Sequence, residues 1–126
     1  MSHLPRRCRK YLLDKQYDFT EVDENGQAAL IIKDWKLCEG KYDCDNVSVL
    51  LLLPNGYPDA APDMFYTHPW IKLRGCSNWP NAASAAHEFR GTKWQRWSRH
   101  WSDWRPGVDG MATWLLKVRY ALETAK

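Results

Sequence analysis

No apolar run in this chain approaches the ~18 residues that a membrane-crossing helix needs, and the opening MSHLPRRCRKYLL lacks the apolar core of a secretory signal. The expectation is a soluble, cytoplasmic protein. Cys-x-x-Cys pairs are also missing. The four cysteines, Cys8, Cys38, Cys44 and Cys76, stand apart, Cys38 and Cys44 have five residues between them, and no histidine lies at ligand spacing. Structural zinc is therefore not expected, and in a reducing cytosol the four should remain thiols. There is no RNA-recognition signature. Neither a metal nor a cofactor is expected.

What is present fits one globular domain, residues 1–126, with a single core. Hydrophobic residues make up 44% and charged residues 26%, both ordinary, whereas 8 tryptophans, several crowded after residue 70, are not. The net charge of +3 conceals a separation. From Asp14 to Asp63, eleven acids face four bases; from Lys72 to Arg105, seven bases face two acids. Such polarity suits partner docking and steering, and equally a solvated surface.

The elements follow from turn signals and periodicity. Leu4-Pro5 and the RRCRKYLLDK that follows predict a short N-terminal helix, with Leu12 and Leu13 inward and Arg6, Arg7, Arg9 and Lys10 outward. Tyr17 to Val22 and Ala28 to Trp35 read as strands joined through Asn25-Gly26, a strong hairpin signal. After a polar loop, Val47 to Leu53 is too short for a buried helix and fits a strand covered on both faces; Met64 to Tyr66 makes a fourth. The alanine-rich Ala82 to Glu88 suggests two helical turns ended by Gly91. Trp94, Trp97, Trp101 and Trp104 recur at helical spacing, as a core seal or as a platform with Arg99 for a protein partner. Val108, Met111, Leu115, Val118 and Leu122 mark a C-terminal helix that packs on the sheet, with Asp109 near its positive end.

Between the third strand and Cys76 the backbone is tightly prescribed, because Pro54, Pro58, Pro62 and Pro69 each fix φ and bias the residue before them. The succession of strand, Tyr57-Pro58, Pro62, Phe65, His68-Pro69 and Gly75-Cys76 resembles the middle of a ubiquitin-conjugating (UBC) domain. The block WQRWSRHWSDWRPGVDGMATWLL, from Trp94 to Leu116, is similar to the bacterial branch of that superfamily. The resemblance spans roughly residues 17 to 124 and implies an α+β, UBC-like fold: short helix, four-stranded antiparallel meander, C-terminal helix on the sheet. It implies that Cys76 forms a thioester with a ubiquitin-like modifier delivered by an activating enzyme, for passage to a target protein. His68 would support the active-site loop, and the basic cluster Arg6, Arg7, Arg9 and Lys10 would contact the activating enzyme. One departure stands out: where the family has asparagine after His-Pro, a residue held to support the loop and the oxyanion, this chain has Trp70.

Thioester exchange needs a thiolate, access for a carbonyl and donors for a transient oxyanion. Gly75 allows close approach, and Lys72 and Arg74 favour an anion at Cys76; Cys38 and Cys44 sit in or beside an acidic loop, which disfavours one. His87 and His100 are further candidates as proton carriers, and Asp103 or Asp109 could orient an acceptor lysine. Trp97, Arg99 and Trp101 are the candidate partner contacts of the Trp-Arg block. Two other readings remain: a catalytically silent UBC-fold scaffold that binds the modifier or activating enzyme, and, ranked lower, single-stranded nucleic-acid binding through stacked rings and arginines.

Overall fold

A computed structural model describes residues 4–100 and 103–126. The chain runs α1 (Arg6–Asp14), β1 (Asp18–Glu24), β2 (Gln27–Lys36), β3 (Asn46–Leu52), β4 (Phe65–His68), β5 (Ala85–Phe89), β6 (Thr92–Trp97) and α2 (Met111–Thr124). It is an α+β arrangement in which one antiparallel sheet has the order β1-β2-β3-β4-β6-β5. The expected four-stranded meander is there as β1 to β4. The sheet nonetheless has six strands, because the β5–β6 hairpin adds itself to the free edge of β4, with Thr67 opposite Gln95.

That hairpin replaces the helix expected over Ala82 to Glu88. Its turn is Arg90-Gly91, with φ of 51° and 80°, the two positive values of a tight type I′ connection. Asn25-Gly26, with φ of 53° and 83°, closes β1–β2 in the same way. Pairing with β6 satisfies the backbone of the alanine-rich strand, and this outweighs its modest helix preference. The same change of element separates two of the tryptophans. On a strand, residues three apart point to opposite faces, so Trp94 joins the outer cluster and Trp97 the main core.

The two faces of the sheet are unequal. Leu30, Ile32, Val47, Val49, Leu51, Phe65 and Trp97 pack beneath α1 and α2 in the main core. The opposite face carries a smaller cluster of Ala29, Leu50, Tyr66, Phe89 and Trp94. β3 is thus covered on both sides, as its unbroken apolar run requires. In α1 the inward residues are Cys8 and Leu12, four apart; Leu13 is exposed, since a neighbour on a helix turns about 100° away. Met111, Leu115, Val118 and Leu122 hold α2 to the sheet, while Val108 precedes the helix and is exposed. Ahead of α2, the buried Asp109 accepts hydrogen bonds from the Arg105 backbone N–H at 2.8 Å and the Thr113 hydroxyl at 3.1 Å, fixing the turn into the helix. No helix among the described residues is long and apolar enough to cross a membrane.

Candidate functional site

The connection from β4 to β5 leaves the sheet after His68, crosses the helix side and returns at Ala85, carrying Cys76 at its exposed middle. Cys76 closes a turn in which its N–H donates to the Leu73 carbonyl at 3.0 Å. Gly75, with φ of 80°, occupies the third position of that turn, where a side chain would be strained. Of the four cysteines, Cys8 is buried, Cys38 and Cys44 are half-buried, and Cys76 is exposed.

Three neighbours hold this connection. On one side lies the segment before β3. The Arg74 N–H donates to the Lys41 carbonyl at 2.8 Å, the Asp43 N–H to the Lys72 carbonyl at 3.0 Å, and the Lys72 N–H to Asp43 Oδ1 at 3.1 Å. On another lies the C-terminal end of α2. The Asn81 N–H of the connection donates to the Lys126 carbonyl at 2.9 Å, while Tyr42 Oη and Lys41 Nζ tie the segment before β3 to the Leu122 and Ala125 carbonyls at 2.6 and 3.0 Å. Burial pushes the Tyr42 phenol well above its ordinary range, so it remains a donor.

The third neighbour is Gln95 of β6, wholly buried beneath the connection. Its Oε1 accepts from the Ile71 N–H at 2.8 Å and from Thr67 Oγ1 at 3.1 Å; its Nε2 donates to the Ile71 carbonyl at 3.1 Å and the Ala83 carbonyl at 2.9 Å. All four hydrogen-bonding positions of the amide are used. Trp97 Nε1 extends the network by donating to Thr67 Oγ1 at 2.9 Å. Leaving such a buried group unpaired costs about 1–3 kcal/mol, so the network fixes one arrangement of the chain around it.

Aromatic side chains flank the thiol in sequence. Trp70 and Trp79 meet edge to face at 5.1 Å, Lys72 Nζ lies 4.5 Å from the centre of the Trp79 ring, and Trp70 Nε1 donates to the Lys93 carbonyl at 3.1 Å. The single polar group of Trp70 is therefore committed to β6 rather than aimed at Cys76.

The other sequence-derived candidates are distributed elsewhere. His68 does not brace the loop with its ring. Alternation along β4 turns it to the outer face, where it lies 5.7 Å from the Trp94 ring. His87 stands on the same outer face, 4.8 Å from Tyr66, so neither is on the helix side that bears the Cys76 connection. His100 Nδ1 is 2.7 Å from Asp63 Oδ1, and Asp103 is paired with Lys117 Nζ at 2.9 Å, which holds its carboxyl below the usual range. Arg9 Nε and Nη2 grip Glu21 at 2.9 and 3.0 Å, and Lys10 pairs with Asp14 one turn along α1; Arg6 and Arg7 are exposed. Trp97 cannot serve as a partner contact, because it is wholly buried and stacked on Phe65 at 5.4 Å. Arg99 is half-buried, donating to the Ser98 carbonyl at 2.9 Å with its guanidinium 5.5 Å from the Trp97 ring. Trp101 lies outside the described residues. Gln95 was not signalled by the sequence: within a tryptophan block read at helical spacing it is an ordinary polar residue.

Among known families, the model of prokaryotic E2 family E matches residues 4–125. No curated protein and no solved structure matches the chain.

Proposed function

The chain belongs to prokaryotic E2 family E, and from that footing we propose that it carries a ubiquitin-like modifier as a thioester on Cys76, within a single UBC-like domain. The exposure of Cys76, at the middle of a connection anchored on three sides, carries the reading. In the reaction, the Cys76 thiolate attacks the carbonyl of the modifier's C-terminal thioester on the activating enzyme. The tetrahedral oxyanion collapses, the activating enzyme's sulfur leaves, and the proton first held by Cys76 ends on that departing thiol. One thioester is broken and one formed, with no change of oxidation state. A nucleophilic amine on a target protein would complete the transfer.

Trp70 favours a second reading, a scaffold that binds the modifier or activating enzyme without accepting the acyl group. Its indole N–H is held by Lys93, and it has no amide to offer an oxyanion. Substitution separates the two. With activating enzyme, modifier and ATP, the carrier reading expects a thiol-labile adduct on the wild type, a thiol-resistant but alkali-labile ester on Cys76→Ser and none on Cys76→Ala. The scaffold reading expects partner binding and no adduct in all three. The nucleic-acid reading has less to rest on, since Trp94 and Trp97, two of the rings it would use, are buried.

A further inference from the structure

The Cys76 connection leaves β4 after His68 and enters β5 at Ala85, and one side chain holds Ile71 near its start and Ala83 near its end. Gln95 clasps Ile71 through both its backbone N–H and its carbonyl, then reaches the Ala83 carbonyl with its second amide proton. These partners lie 24 and 12 residues away in sequence. The amide sits in a core of aromatic and aliphatic side chains with no exposed surface. An apolar side chain of similar length would fill that space, so packing alone does not call for glutamine. We infer that Gln95 is the positioning residue of the Cys76 connection: it sets the spacing between the two ends and thereby the orientation from which the thiol meets an incoming carbonyl. Thr67 and Trp97 are its supports, Thr67 donating to Oε1 and Trp97 fixing the rotation of the Thr67 hydroxyl. Trp70, at the entrance to the same connection, has its only polar group on Lys93 and cannot substitute.

The inference rests on the acyl-acceptor reading for its chemical consequence, but not for its structural one. The test therefore has two arms, both using Gln95→Met, which preserves length and removes the amide. Val49→Ala, a core truncation on β3, is the comparison for a general loss of stability. In the first arm, hydrogen exchange read by mass spectrometry should rise at least tenfold across residues 70–84 of Gln95→Met, while α2 keeps its protection; Val49→Ala should not show this local pattern.

In the second arm, the probe is a glycine-ended peptide thioester of 2-mercaptoethanesulfonate. The Cys76 thiolate takes the acyl group and releases the mercaptoethanesulfonate thiol. Gln95→Met should slow this exchange about tenfold while alkylation of Cys76 by iodoacetamide, which needs only an exposed thiolate, stays within about twofold. A merely structural role would leave the ratio of the two rates unchanged. Unaltered exchange at 70–84, or an equal shift in Val49→Ala, would overturn the assignment. Absence of acyl transfer to the wild type would count against the acceptor reading and leave the first arm to decide the positioning. Should Gln95→Met not fold, the wild type decides: the Gln95 side-chain amide protons and the Ile71 N–H must exchange as slowly as the β3 amides by NMR, and fast exchange contradicts the inference.

Discussion

Individual side chains carry roles that their residue types alone do not disclose. Cys76 was picked out in the sequence by its neighbours Gly75, Lys72 and Arg74, and its side chain is exposed. Gln95 was not, because the groups that give it meaning come from β4 and from both ends of the connection. Spacing left Trp97 as either a core seal or a partner contact, and it is among the largest fully buried side chains. Trp97→Ala should accordingly lower the unfolding free energy by about 3–5 kcal/mol, measured by urea denaturation. A surface tryptophan would change it little.

Asp109 gives a prediction with a defined sign. Its carboxylate is held below the usual range chiefly by the Arg105 side chain and backbone, with desolvation opposing them and Thr113 adding a lesser lowering. A depressed folded-state pKa stabilises the protein above the unfolded carboxylate value of about 3.9, and that contribution is lost as pH falls through the folded value. Asp109→Asn should therefore be less stable than the wild type at pH 7, and the gap should narrow as the pH is lowered below about 4. Urea midpoints at both pH values check this, and a gap independent of pH would contradict it.

At the scale of elements, what was legible depended on how local the determining signal was. Asn25-Gly26 announces its hairpin, and the apolar run of β3 and the stripe of α2 announce themselves by length and period. The β5–β6 hairpin does not. Its turn is Arg90-Gly91, and its first strand is rich in alanine, so only pairing with β6, itself laid against the edge of β4, makes it a strand. Backbone conformation in its turn is correspondingly critical. Gly91 has open space where a side chain would go, but a φ of 80°. Gly91→Ala should therefore destabilise by roughly 1–2 kcal/mol through strain alone, read as a lower urea midpoint. Gly75→Ala faces the same strain in the turn before Cys76 and should slow acyl acceptance with little change in the sheet.

For the whole molecule, the strand order converts a separation along the chain into one in space. β1, β2 and β3, from the acidic stretch, form one side of the sheet; β6 and β5, from the basic stretch, form the other, with the uncharged-to-weakly-basic β4 between them. Some of these charges are paired within the fold, among them Asp34 with Lys36 and Asp63 with His100. The remainder give the molecule a polarity suited to steering a charged partner. The association rate with a loaded activating enzyme should fall as salt is raised from about 0.05 to 0.5 M, while dissociation changes less. Stopped-flow measurement at several salt concentrations tests this; a rate insensitive to salt would mean that the polarity plays no part in docking.

The claim that most else depends on is acyl acceptance at Cys76. Its most direct test is the intact mass of the wild-type protein after incubation with activating enzyme, modifier and ATP, followed by mapping of the modified residue. The account predicts one added modifier, removed by reducing thiol or hydroxylamine and located at Cys76. An unmodified mass under conditions where the activating enzyme is itself charged, or an adduct located elsewhere, would contradict it.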